Sequence, residues 1–494
     1  MKRRIGFVIA LLCTALASLQ IVDAETLTVT NRGDAGGGTH DLFLDTVMPH
    51  IGPNVNVSRE HLNESETQIA VNPANPLNLF AVSNHDYEHL TPPEGEKGVL
   101  GRYSTDGGRT WQVPDPPVGR FGPPASLDPG VVFDKFGNLF VSYKTAEPGE
   151  FFAVVISTDG GQHLTDFRRI GDEGVDFDNL AVGPAGRDGG QGGNQALWVS
   201  YASGPNVRVV HAELRGLGEV GPFSPPTTVE RPAGVKSANF GNIAVGPHGQ
   251  VAVTFMDSSK PRQGPGDIYV AVDPDGVGPR GFGTAQRVTS SNWGWSVPVP
   301  SAYNYRQTSA VPFLAYDNSS GPFIGRLYLS YLDSPEVWSP HSYVNLRYLD
   351  DGATSWSPPV RVSTGAGNLG TAFMPSISVD PTSGLVGATW YDSDAVGGNL
   401  ANLFAAFSDT GGQTFSQSVR LSEKSSRADR SNPTDSNTHQ GYGDYVRNAF
   451  YDRVFYASWA DNSNSTRDNP DGETYLDLYT VRVDFSPRPP LPPP

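Results

Sequence analysis

The 494-residue sequence contains a single cysteine, Cys13. It sits in the N-terminal leader, so the rest of the chain has no thiol. Cysteine nucleophiles, thiolate metal sites and disulfide staples are thereby excluded, and the fold must be held by packing. Basic residues are also scarce: 35 Lys and Arg face 52 Asp and Glu, for a formal net charge of −17. Such a balance opposes nucleic acid and anionic membrane as partners. After residue 24 no apolar run approaches the ~20 residues that a membrane-crossing helix needs.

Residues 1–24 have the features of a secretory signal peptide, with Lys2, Arg3 and Arg4 before an apolar stretch from Ile5 to Leu19 and Val22-Asp23-Ala24 as a cleavage site. The expectation is a secreted or periplasmic protein without a transmembrane anchor. Removing the leader leaves 32 basic and 51 acidic residues, a net charge of −19.

Turn formers are plentiful. The 56 Gly and 42 Pro make up about 20% of the chain, which implies many short strands. A paired apolar run recurs along the sequence. Its first half reads Ile69-Ala70-Val71-Asn72-Pro73, Leu180-Ala181-Val182-Gly183-Pro184, Ile243-Ala244-Val245-Gly246-Pro247 and Ile377-Ser378-Val379-Asp380-Pro381. Its second half reads Leu139 to Tyr143, Leu197 to Tyr201, Val251 to Phe255 and Leu327 to Tyr331, among others. The second halves end at residues 83, 143, 201, 255, 331, 390 and 459, spaced 54 to 76 residues apart. β-Branched and aromatic residues bounded by Gly, Pro, Asn and Asp indicate strands, and the period suits one four-stranded propeller blade. The fold expected is all-β, a seven-bladed β-propeller, with six blades as the alternative.

The last unit stops after its third strand, while Val55-Asn56-Val57-Ser58 precedes the first unit and matches the outer-strand pattern Val360-Arg361-Val362-Ser363. The N-terminal strand is therefore expected to close the last blade, which removes the open sheet edges. The domain boundaries that follow are 1–24 signal peptide, 25–53 leader, 54–485 propeller and 486–494 proline-rich tail.

Ser104-Thr105-Asp106-Gly107-Gly108-Arg109-Thr110-Trp111 links the third and fourth strands of the first unit, with a weaker copy at Ser157-Thr158-Asp159-Gly160-Gly161. Asp106 can accept backbone N–H bonds, the glycines permit positive φ and Trp111 can bury a ring. This segment resembles the Asp-box, or BNR-repeat, of the sialidase superfamily, whose motif is Ser-x-Asp-x-Gly-x-Thr-Trp. The resemblance implies that Ser104, Asp106, Gly108, Thr110, Trp111 and Asp159 are structural and lie on the face opposite an active site.

It further implies that chemistry sits where the chain enters each first strand and leaves each second strand. Glu66, Asp128, Asp178 and Asp444 are at the entering positions, and Asp86, Asp257, Asp333, Asp392 and Asp461 at the leaving ones. Carboxylates gathered near one axis shift one another's pKa and can supply an acid and a base. They can also bind a hard cation such as calcium, or simply cap turns. The family grips its substrate with three arginines and attacks with a tyrosine paired to a glutamate. The corresponding candidates are Arg59, Arg306 and Arg447 for binding and Tyr445 for catalysis beside the four carboxylates. The family's Arg-Ile-Pro signature is absent, the region reading Asn63-Glu64-Ser65-Glu66-Thr67-Gln68-Ile69. Trp293, Trp295 and Trp338 offer flat surfaces for sugar rings.

The functional expectation is a glycoside hydrolase acting on a glycan or glycoprotein at the funnel mouth, monomeric and needing no cofactor, with calcium as an optional ion. The alternative is a non-catalytic propeller that binds glycans or proteins, in a calcium-dependent or calcium-independent way.

Overall fold

The computed structural model describes residues 49–85, 98–145, 151–171, 175–186, 193–297, 308–364, 370–393, 399–428 and 441–485. Residues 1–24, expected to be a signal peptide, the leader as far as residue 48, Asp86, Arg306 and the proline-rich tail lie outside the described residues.

Seven antiparallel sheets follow one another along the chain, each running outward from a first strand. These first strands are Glu64–Val71, Ala125–Phe133, Val175–Pro184, Ala238–Val245, Phe313–Tyr316, Ala372–Val379 and Ala449–Tyr451. Each touches the first strand of the next sheet, and that of the seventh touches that of the first. The cycle defines a seven-bladed β-propeller and sets aside the six-bladed alternative.

Second strands are sandwiched between neighbouring blades and so read as unbroken apolar runs rather than alternating ones. Val251–Asp257 and Val386–Asp392 are buried along their whole lengths. Outer strands such as Asp166–Ile170 face water and carry charge. Blade one has three strands, its outer position being reduced to a bridge between Tyr103 and Gln112.

Closure uses the N-terminal segment. Val55 and Asn56 pair with Thr480 and Tyr479, and His50 and Ile51 pair with Asp484 and Val483 on the same strand. The Val57 N–H donates to the Leu478 carbonyl at 2.7 Å, Leu478 N–H donates to Ser58 Oγ at 3.0 Å, and Ser58 Oγ donates to Glu64 Oε2 at 3.0 Å. The N-terminal segment is thus tied both to blade seven and to the start of blade one.

The turns between third and fourth strands dock on the preceding blade. Asp106 Oδ1 accepts the Arg109 and Thr110 N–H groups at 3.0 Å each, its Oδ2 accepts Thr110 Oγ1 at 2.7 Å, and Trp111 Nε1 donates to the Gly108 carbonyl at 3.1 Å. These bonds favour the ionised form and hold the Asp106 pKa below its usual value, although partial burial is the largest single influence and opposes them. In blade two, Ser157 and Asp159 repeat the arrangement with His163 in the place of Thr110. The second glycine of each turn leaves room for an aromatic ring of the blade before it: Gly108 for Tyr456, Gly161 for Phe80 and Gly412 for Tyr328.

Candidate functional site

At the opposite end of the strands, where the chain enters each blade, five first strands share one irregularity. The register slips between Ser65 and Gln68, Leu127 and Gly130, Asp176 and Asn179, Asn239 and Asn242, and Phe373 and Ser376. Within each slip one residue is left-handed: Glu66 (φ 54°), Asp128 (56°), Phe177 (54°), Phe240 (58°) and Met374 (50°). Such bulges re-aim a side chain, and positive φ in residues other than glycine costs about 1 kcal/mol or more each. In blades one and two the re-aimed side chain is a carboxylate. In blades three, four and six it is apolar.

Four blades meet at the acidic side. Asn84 donates from Nδ2 to Glu66 Oε2 at 2.8 Å, while its Oδ1 accepts the Asp128 N–H at 3.0 Å, joining the two carboxylate residues through one amide. From blade seven, Asp444 N–H donates to Glu66 Oε1 at 2.9 Å and the Tyr445 hydroxyl donates to the Pro129 carbonyl at 3.3 Å. From blade three, the Phe177 ring stands edge-on to Tyr445 with centroids 5.4 Å apart, and Ser142 donates to Asp178 Oδ2. Arg447 is half-buried, 5.4 Å from the Phe313 ring of blade five, and close enough to Asp178 and Tyr445 for charge interaction.

Burial governs the titration of this cluster. It pushes Asp178 up to about 7, against the Ser142 hydrogen bond and the Arg447 charge. Burial, then the charges of Glu66, Asp176 and Asp178, holds Asp128 well above the ordinary carboxylate range. Burial, then the charges of Glu66, Asp128 and Asp178, raises the Tyr445 phenol, the reverse of what a ready phenolate needs. Arg447 is lowered to about 10 by burial. Asp178 Oδ1 and Arg447 Nε are both buried without a hydrogen-bond partner.

The site thus brings together Glu66, Asp128, Asp178, Asp444, Tyr445 and Arg447. Other expected positions fall elsewhere. Arg59 is a surface residue paired with Asp468 at 2.8 Å. Trp293 is only 1% exposed and belongs to the core, which corrects its reading as a sugar platform. Trp295 donates from Nε1 to the Lys260 carbonyl, and its ring is covered by Arg262 at 5.1 Å. Trp338 is 71% exposed on the loop leaving the second strand of blade five. Asp257, Asp333 and Asp461 cap turns through the N–H groups of Ser259, Ser334 and Ser463. No group of three or more His, Cys, Asp or Glu among the described residues is arranged to hold a metal ion.

Phe177, Phe240, Met374 and Asn84 escaped the sequence reading. The first three stand three residues before the leading apolar residue of their runs, as Glu66 does before Ile69, so superposing the repeats would have found them.

No protein-family model and no curated protein matches the chain. Among solved structures it is similar to a protein of unknown function from Dyadobacter fermentans DSM 18053 (11% identity over 89% of this chain and 99% of that one, TM-score 0.44). It is also similar to an α-L-arabinanase from Penicillium chrysogenum (12% identity, 88% and 99% covered, TM-score 0.44). A third is the leech intramolecular trans-sialidase (13% identity, 72% and 69% covered, TM-score 0.44). The architecture of the present chain rests on its own sheet order and closed cycle of blades. Among the described residues no helix is long and apolar enough to cross a membrane.

Proposed function

We propose that the chain is a glycoside hydrolase acting on glycans at the end of the propeller where the first strands begin, outside the cell if the leader acts as a signal peptide. The supporting observation is the convergence of Glu66, Asp128 and Asp178 from three blades beside Arg447 of a fourth. A carboxyl group kept protonated near neutrality can donate to a leaving-group oxygen while a second, ionised one serves as base or nucleophile. Asp128 is assigned the acid role, because burial and three neighbouring carboxylates favour its protonated form. Asp178, which titrates near 7, is assigned the base role, and Arg447 orients a hydroxyl or carboxylate of the substrate. Tyr445 positions the cluster through Pro129 and Phe177 rather than attacking.

A binding propeller without turnover is the second reading. Glu66 and Tyr445 are at most 2% exposed, whereas the Trp338 indole stands in solvent as a stacking surface. Release of chromophore from a panel of aryl glycosides separates the two, with Asp128→Asn and Asp178→Asn as the variants. Turnover lost in either variant supports the hydrolase, and saturable glycan retention without turnover supports the binder.

A further inference from the structure

On the face that carries the Asp106 and Asp159 turns, blades five, six and seven enclose a cavity of about 260 Å³. Its apolar wall includes Phe323, Phe407 and Phe485, and its polar groups include Asp317, Asp409 and Arg453. Asp317 is fully buried. Its Oδ1 accepts the Ser319 N–H at 2.8 Å, while Oδ2 has no partner. That oxygen faces Gly384, another lining residue, where an added Cβ would lie 3.3 Å from it.

Asp409 has an unusual origin. In blades one and two the carboxylate stands third in the turn, as Asp106 after Ser104 and Asp159 after Ser157, and it staples the turn. In blade six the sequence is Ser408-Asp409-Thr410, and Thr410 Oγ1 takes over the staple by accepting the Thr414 N–H at 3.0 Å. The carboxylate has moved one position and left the turn. It lines the cavity instead, with Oδ1 buried and unpartnered.

Asp409, half-buried at the wall of a pocket of aromatic rings and with the sealed Asp317 carboxylate among the same lining residues, favours a cationic ligand, because buried negative charge without a partner is costly. An ammonium group supplies the N–H donors and compensates the charge. Arg453, whose one described side-chain bond is a long 3.5 Å contact from Nη1 to the Phe485 carbonyl, suits a carboxylate on the same molecule. The volume is just under the ~300 Å³ at which drug-sized pockets begin, so the ligand is small. We propose that this cavity binds an apolar α-amino acid, its ammonium at Asp409 with the buried Asp317 carboxylate adding negative charge, its carboxylate at Arg453 and its side chain against the phenylalanines.

Calorimetric titration of the full chain with L-phenylalanine, phenethylamine and 3-phenylpropionate tests the assignment. L-Phenylalanine is expected to saturate one site, phenethylamine to bind more weakly and 3-phenylpropionate not to bind. Asp409→Asn is expected to weaken L-phenylalanine at least about tenfold without lowering the melting temperature or changing any glycoside turnover, since Thr410 holds the turn in its place. Asp317→Asn should weaken it less, through the loss of charge alone. Absence of saturation below about 10 mM, equal affinity in wild type and both variants, or 3-phenylpropionate binding as tightly as L-phenylalanine would each overturn the proposal.

Discussion

Gly161 in the blade-two turn lies directly against the Phe80 ring of blade one: a methyl group on its α-carbon would stand 2.3 Å from the ring, at a φ of 93°. Glycine is needed here both for the left-handed backbone and for the close approach. Gly161→Ala is expected to destabilise the protein by about 2–4 kcal/mol, the sum of backbone strain and overpacking. Gly204→Ala is the control, because Gly204 is also left-handed (φ 56°) but has nothing within 4 Å of an added Cβ, and about 1 kcal/mol is expected. Urea unfolding of both variants checks the difference; equal losses would show that the docking contact is unimportant.

Ionising Asp178 weakens the fold. Its native value of about 7 lies above the 3.8 of an unfolded chain, so the native state holds a proton that the unfolded state has released between those pH values. Stability from this group is fully present below pH ~4 and is lost as pH rises through ~7, by an amount on the order of a few kcal/mol. Asp178→Asn cannot ionise and should flatten the decline. Melting curves from pH 4 to 8 that run parallel in wild type and variant would contradict this.

The N-terminal closure depends on Ser58, which accepts from Leu478 and donates to Glu64. Glu64 and Asp477 are both buried and both raised, by desolvation first and, for Asp477, by the neighbouring Glu64 charge second. Ser58→Ala leaves buried groups unpaired at this joint and should cost about 1–3 kcal/mol. It should also speed proteolysis N-terminal to Glu64. An unchanged cleavage rate would mean that the strand is held by its ladder bonds alone.

Asn84 holds the relative position of Glu66 and Asp128. Asn84→Ala removes the donor to one and the acceptor from the other, with an expected loss of about 1–3 kcal/mol and a fall in glycoside turnover at constant KM. A change confined to KM would assign Asn84 to substrate binding instead.

The blade count was legible because each second strand is buried on both faces, and burial selects the same residue types seven times. Runs such as Leu139–Thr145 and Leu327–Asp333 therefore repeat in composition as well as in structure. The bulge was not legible from residue type, because Glu66, Asp128, Phe177, Phe240 and Met374 share a backbone conformation and a place in the repeat but no chemistry. Trp293 and Trp295 illustrate the same limit at shorter range. Two residues apart in one loop, one is sealed in the core and the other is capped by Arg262. Asp178 stood out as a carboxylate at an entering position, but its dependence on Ser142 of the neighbouring blade exists only after folding.

The most direct measurement is the pH profile of aryl-glycoside hydrolysis by residues 25–494, with Asp128→Asn and Asp178→Asn beside Asp106→Asn as a variant on the opposite face. Turnover is expected to fall at least about a hundredfold in both Asp128→Asn and Asp178→Asn and to be kept in Asp106→Asn at temperatures where that variant is folded. The alkaline limb should be lost with Asp128. Turnover that survives both axial substitutions, or none from any glycoside in the folded wild type, would contradict the assignment of catalysis to this cluster.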